Sequence, residues 1–320
     1  MVRTPGWESK SLSTLTFGGT ASIHAAARRD SDVALVLNVA NGFFLPVLRA
    51  RGVPTVVNVD GLEWLRDKWS GTGKAAFLAG ARMTARYGDV LVYDSVAIEG
   101  HWSETFGRGG RFIPYGADVP VAVAQDRLAP LGLPPDGYLL VVARLVAENK
   151  FALVFAAHEA SGVDWPLVIV GSTTYEDPLH QRVAAAARGP KVIWLGHVAD
   201  QELLSQLWAN CAAYVHGHSV GGTNPGLLQA LAHGAPTQAL DTVYNREVLL
   251  HEPFLFKPEV IHLAGRLRDL VGRPDVRIAL RRQGLARIQA AYVWADVLDA
   301  YEDVLMQAVA AGPGSRASGR

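Results

Sequence analysis

Apolar residues along this chain come in short runs, each followed by a polar turn and then by a segment with helical spacing. From residue 32 the runs are DVALVLNVA (32–40), PTVVNVD (54–60), DVLVYDS (89–95) and RFIPYG (111–116). Continuous runs rich in Val, Leu and Ile predict strands buried on both faces, as parallel strands are. Between them KAAFLAGARMTARYG (74–88) reads as a helix. The stretch VPVAVAQDRLAPLGLPPDG (119–137), dense in proline and glycine, reads as a linker. A second alternating series follows: YLLVVARL (138–145), PLVIVGS (166–172), KVIWLGHV (191–198), CAAYVHG (211–217) and APTQAL (235–240), with helices over 149–160, 177–188, 200–210 and 224–233.

Two βα series joined by a linker predict an α/β protein of two Rossmann-like domains facing a cleft. Ligands in open α/β sheets bind outside the C-terminal ends of the strands, so the chemistry is expected there. The expected division is residues 1–125 and 126–290, and the small polar residues of GPGSRASGR predict a disordered tail at 312–320. A length of 320 residues, 49% hydrophobic and 19% charged, lets each half bury a core.

Thirty basic residues balance thirty acidic ones, so no global charge draws the protein to nucleic acid or an anionic membrane. The single cysteine, Cys211, excludes a disulfide framework and reads as a small buried residue, and no His/Cys cluster has zinc spacing. No run approaches eighteen uninterrupted apolar residues and the N-terminus lacks a signal-peptide core, which leads to the expectation of a cytoplasmic protein.

Candidate chemistry concentrates in HGHSVGGTNPGLLQALAHGAP (216–236). Asn224 suits an N-cap, Pro225 the first helical position, and Gly234 the C-terminal end. Ahead of the cap, Gly221 and Gly222 carry no Cβ and leave main-chain N–H groups open to a ligand. A helix N-terminus carries about half a positive charge and favours phosphate or carboxylate. The same glycines also suit a plain tight turn. In VARLVAENK, Arg144 and Lys150 follow the first strand of the second domain, where a diphosphate would need its charge neutralised, although Lys150 also suits a helix surface. His216 and His218, two apart without a nearby carboxylate or cysteine, read as cleft hydrogen-bonding groups or a polar turn rather than metal ligands. In the first domain NVDGLEW places Asp60 and Glu63 directly after a strand, a position for catalytic or binding groups and equally for turn chemistry.

With these residues assembled, the chain resembles family 4 of the retaining GT-B glycosyltransferases, most closely its rhamnosyltransferase-like subgroup. The carriers span residues 30–305: VNVDGLEWLRDKW, YGDVLVYDS, FIPYGAD, VARLVAENK, the stretch from WLGHVADQ to LAHGAP, NREVL and YVWADVLDAYEDVL. The resemblance implies transfer of a hexose or deoxyhexose from a nucleoside diphosphate sugar, with retention and with neither metal nor cofactor, to an acceptor that is a glycan, a lipid-linked glycan or a small molecule. It gives Arg144 and Lys150 the departing diphosphate, and His216, Gly221, Gly222, Thr223, Asn224, Gly226 and Gln229 the donor. Asp60 becomes the candidate acceptor contact or base, with Glu63 and Trp64 on the acceptor side. A C-terminal helix at 291–311, around Trp294 and Tyr301, is expected to pack back on the first domain.

Three departures accompany the resemblance. Gly221 and Gln229 stand at the positions of the family's two glutamates, and glutamine still accepts a hydrogen bond from a ribose hydroxyl without the charge-assisted form. The Arg-Leu-x-x-Glu-Lys-Asn pattern ends here as Glu148, Asn149, Lys150. About two βα units, on the order of 60 residues, are expected to be absent from the front, which would leave an exposed apolar edge at 33–37 open to pairing with another copy. The rival readings are a non-catalytic GT-B subunit or binding protein, and a sugar-nucleotide epimerase; sparse cleft carboxylates argue against the last.

Overall fold

The computed structural model describes residues 2–7, 13–28, 30–66, 69, 71–173 and 178–315. Helix α1 (Ser13–Arg28) leads into β1 (Ala34–Leu37), α2 (Leu45–Ala50), β2 (Thr55–Asn58), α3 (Gly71–Tyr87), β3 (Val90–Tyr93), α4 (Val96–Phe106) and β4 (Arg111–Phe112). The second series is β5 (Leu139–Val142), α5 (Phe151–Ser161), β6 (Leu167–Val170), α6 (Pro178–Ala186), β7 (Val192–Gly196), α7 (Gln201–Asn210) and β8 (Ala213–His216). It continues through α8 (Pro225–Ala232), β9 (Thr237–Leu240), α9 (Val243–Leu249), β10 (Leu255–Phe256), α10 (Val260–Gly272), α11 (Pro274–Ala291) and α12 (Trp294–Ala311). The chain divides into one unit of residues 1–114 and 295–320, and a second of 115–294. The boundary expected near 125 therefore falls earlier, because Tyr115, Ala117 and Val119 already pack with the second core.

The first unit holds a parallel sheet in the order β1-β2-β3-β4. β2 and β3 are buried on both faces, as their apolar runs predict. β1 and β4 are not: they are the edge strands, and Leu35, Leu37 and Phe112 are exposed. The buried carboxylate of Asp89, just before β3, accepts from the Thr55 N–H and hydroxyl and from the Gly314 N–H. Residues 312–315 are thus anchored to this unit, against the expectation of a disordered tail from 312, and residues 316–320 lie outside the described residues. α12 belongs here through Tyr301 and Gln307, which bond Asn58 and Arg111. Trp294, expected to pack with it on the first domain, lies instead in the second unit, where its ring meets Gly116.

The second unit holds six parallel strands in the order β10-β9-β8-β5-β6-β7. Counted from β5, this is the doubly wound order 3-2-1-4-5-6, whose direction reverses between β5 and β8. All six strands contribute to the core, with Leu227, Leu228 and Leu231 of α8 and Leu263 and Leu267 of α10. Arg281 of α11 ties the layers together by donating to the carbonyls of Ala209, Cys211 and Gly234 and to Asp136. Cys211 is a free, buried thiol pushed up to about 12 by burial.

Candidate active site

At the reversal point between β5 and β8, the loops after the two strands lie against each other. The loop after β8 runs from Gly217 to Asn224, and the loop after β5 runs from Ala143 to Lys150. Ser219 donates both its N–H (3.0 Å) and its hydroxyl (2.9 Å) to the Glu148 carbonyl. His218 Nδ1 meets Asn149 Oδ1 at 2.7 Å, while Asn149 Nδ2 donates to the Arg144 carbonyl. From the other side Asn245 Nδ2 donates to the carbonyls of His218 and Leu240. Gly217 permits the approach: a Cβ there would stand 2.3 Å from the Asn149 carbonyl oxygen. The Asn149–Lys150 order, inverted relative to the family pattern, puts the asparagine inside as this knot and the lysine outside, exposed and at φ 50°.

α8 begins as its sequence dictates. Asn224 caps it by accepting from the Gly226 N–H at 2.9 Å, Pro225 follows, and Gly234 lies just past its end at φ 69°. Gly221 adopts φ 106°, which a side chain rarely tolerates. Among the described residues nothing accepts from the N–H groups of Gly221, Gly222 or Asn224. Unpaired N–H groups ahead of a helix N-terminus are what an anion needs. Arg144 is exposed, and among the described residues neither its guanidinium nor the Lys150 ammonium has a partner. The exposed head of Arg144 is thus available to a ligand.

His216 closes β8 with its ring buried. Nδ1 meets the Tyr214 hydroxyl at 3.1 Å, and Nε2 has no partner among the described residues. Burial, with His218 beside it, pulls its pKa down to about 3, so the ring is neutral. The Tyr214 hydroxyl also faces the Val142 carbonyl. When Tyr214 donates there, the proton sits on Nδ1 and Nε2 is a bare acceptor. Thr223 is buried, Gly226 lies within reach of the Tyr214 hydroxyl, and Gln229 is half-buried, its side-chain amide without a partner among the described residues.

In the first unit, the C-terminal ends of β1 and β2 and α12 bring together a polar group. Asn38 Nδ2 donates to the Asp60 carboxylate at 3.1 Å, and the Asp60 N–H donates to Asn58 Oδ1. Asn58 Nδ2 in turn reaches the Tyr301 hydroxyl at 2.6 Å. Asn38 (φ 71°) and Asp60 (φ 58°) both hold left-handed backbone, a strain found disproportionately at functional sites. Asp60 keeps its candidacy. Glu63 and Trp64 do not join it. Glu63 is buried, paired with Arg66 at 2.8 Å and accepting from Trp69 Nε1, and Trp64 packs among His101, Trp102 and Phe106. The reason is local: the turn after Asp60 tightens into a 3-10 segment at Glu63–Leu65 that folds both side chains inward. Asn38 and Asn58 escaped the sequence reading, their one signal being an Asn near the end of two successive apolar runs; Asn149 and Tyr301 figured in it only as a departure from the family pattern and as a helix-packing residue, without a place in either polar network.

Part of the sequence and the fold have known counterparts. Residues 129–286 match the family of group 1 glycosyl transferases. The match covers the whole switch-point site. Residues 34–118 match a domain of unknown function, DUF1972, and comparison with curated proteins gave no match. Among solved structures the chain is similar to sucrose-phosphate synthase from Thermosynechococcus elongatus, at 18% identity and TM-score 0.78, covering 93% of this chain and 79% of that one. HepE from Anabaena in complex with UDP and glucose gives 16% identity and TM-score 0.79, covering 96% and 85%. The α,α-trehalose 6-phosphate synthase from Burkholderia multivorans gives 15% and 0.70, covering 93% and 77%. The fold is the α/β GT-B type. At these identities the structures speak for fold alone, and the site carries the functional argument. Among the described residues no helix is long and apolar enough to cross a membrane, and no group of His, Cys, Asp and Glu has the makings of a metal site.

Proposed function

We propose that this protein transfers a hexose or deoxyhexose from a nucleoside diphosphate sugar to an acceptor hydroxyl, with retention at the anomeric carbon. The observation that carries the reading is the anion-receptive switch point: open N–H groups of Gly221, Gly222 and Asn224 at the start of α8, beside a loop bearing the unpaired cations Arg144 and Lys150. The group 1 glycosyl transferase match over the same residues, and the similarity to a protein crystallised with UDP and glucose, support it.

In this reading the acceptor oxygen bonds the anomeric carbon on the face the diphosphate leaves, as retention requires, while the bond from that carbon to the diphosphate breaks and the acceptor's proton passes to a base, for which Asp60 is the candidate. The electron pair leaves with the diphosphate. The charge that develops there is met by the α8 N-terminus and the two cations, whose effect grows as charge grows. Positive charge from side chains and helix end fills the place a metal ion would take. His216 Nε2 accepts from a sugar hydroxyl, and Gln229 from a ribose hydroxyl. Asp60, oriented by Asn38, is the acceptor contact or base of the first unit.

Calorimetric titration with UDP, dTDP and GDP tests the donor site. One nucleotide should bind selectively, and Arg144→Ala should abolish that binding with no change in melting temperature, because the side chain is exposed and unpartnered. Binding of none of the three, or unchanged affinity in the variant, would defeat the assignment and favour a non-catalytic scaffold.

A further inference from the structure

The first unit contains a cavity of about 160 Å³ bordered by the first turn of α1, the turn at Val39–Phe44 that follows β1, and the first two turns of α3. Further along, that turn and α3 pack so closely that a Cβ on Gly42 would collide with the Gly80 carbonyl oxygen, and one on Gly80 with that of Val39. Nearer the start of α3, on the same helical face as Gly80, stand Ala76 and Gly73, and with Ala40 they are too small to fill the space between the elements. The rings of Phe43, Trp69 and Phe77 wall it. Trp69 and Phe77 meet at 4.8 Å and 45°. The Trp69 indole is held in place, because its Nε1 donates at 2.8 Å to Glu63, itself buried and paired with Arg66. A ligand therefore finds this aromatic surface already formed and loses little in ordering it.

The chemistry of the lining narrows the ligand. Among the described residues no charged side chain and no histidine lines the cavity, so an ion would give up its hydration there with nothing to replace it. A bare sugar needs side chains to answer its ring of hydroxyls. The lining offers only Ser13, Thr14 and Thr72, in the first turns of α1 and α3, and Ser13 and Thr72 already have partners. A neutral aromatic ring suits both the walls and the size, since an apolar cavity of about 150 Å³ takes one benzene ring. The cavity also adjoins the candidate acceptor group. Asn38 Oδ1 accepts from the N–H of Ala40, in the cavity wall, at 2.9 Å, while Asn38 Nδ2 donates to Asp60 at 3.1 Å. One side chain thus positions both. We propose that the acceptor carries an aromatic ring that lodges in this cavity and brings its hydroxyl to Asp60, an inference that rests on the acceptor reading of Asp60.

The test is protein-observed NMR on the full chain, following the Trp69 indole N–H, assigned by its loss in Trp69→Phe. Benzyl alcohol and phenyl β-glucoside are titrated separately, with methyl β-glucoside as the control that lacks the ring. Both aryl compounds should shift the Trp69 signal saturably and the control should not. Ala76→Trp, which fills the cavity from the exposed side of α3, should weaken the aryl compounds about tenfold or more. A Trp69 signal that moves with neither aryl compound, or moves equally with methyl β-glucoside, overturns the proposal. So does binding that survives Ala76→Trp in a variant with an unchanged melting curve. Should that variant fail to fold, Ala76→Leu replaces it, with the same loss expected and the same outcome counted against. With the preferred donor, kcat/KM for phenyl β-glucoside should exceed that for methyl β-glucoside about tenfold, and equal values would strike out the ring as part of the acceptor. These titrations need no donor, so a failed nucleotide titration strikes the transfer reading alone and an unmoved Trp69 strikes this one alone.

Discussion

Gly217→Ala is the sharpest probe of whether the two loops of the second unit act as one site. The added Cβ would stand 2.3 Å from the Asn149 carbonyl oxygen and 3.1 Å from its carbon, where ordinary contact begins near 3.4 Å. Gly217 does not occupy left-handed backbone, so alanine's own conformation is acceptable and the whole effect is steric. The loops must part by about 1 Å, the difference between 3.4 and 2.3 Å. That displacement stretches the bonds of Ser219 to Glu148 and of His218 to Asn149. Overpacking of this kind costs about 1–3 kcal/mol, or about 2–12 °C in melting temperature for a unit of this size. A shift of ~1 Å in a positioned group lowers turnover about a hundredfold. Calorimetric titration with the preferred nucleotide, a melting curve and donor turnover are measured together. A variant that melts lower yet binds and turns over at wild-type levels would show that the loops do not form one site. One of unchanged stability would refute the close approach itself.

Three further outcomes are expected. Gln229→Glu should tighten nucleotide binding about tenfold, since a charged acceptor roughly doubles the strength of a hydrogen bond from ribose; equal or weaker binding on titration would remove Gln229 from the ribose. His216 has its pKa lowered to about 3 in the folded chain against 6.5 unfolded, so the unfolded chain takes up the proton first. Stability is then full above pH 6.5 and lost as pH falls toward 3, about 2 kcal/mol by pH 5, and urea unfolding of His216→Asn should lack that component; parallel pH profiles for the two proteins would contradict the buried neutral ring. Tyr301→Phe leaves Asn58 Nδ2, in a residue 7% exposed, without its acceptor and should cost about 1–3 kcal/mol in denaturant unfolding; a change too small to measure would mean that the Tyr301–Asn58 bond does not help to hold α12.

The sequence by itself determined what local chemistry and periodicity control. Apolar runs marked β2, β3, β5, β6 and β8, because a strand buried on both faces carries few polar positions to confuse its pattern. Asn224, Pro225 and Gly234 marked the ends of α8, because caps are local hydrogen-bond and dihedral problems. The same loop showed where open N–H groups would lie, since glycines ahead of a capped helix leave them uncovered. Tertiary structure decided the rest. Edge position, not composition, left β1 and β4 exposed, and a 3-10 turn with Arg66 and Trp69 drew Glu63 and Trp64 inward. The strand order put the β5 and β8 loops side by side across some 70 residues of chain, so that Asn149, a plain polar residue in sequence, became the knot between them. Gln238 reads as one polar position in a short apolar run. Only the packing around it shows an oxygen with no partner among the described residues, because an unmet hydrogen bond is a property of the surroundings and not of the residue.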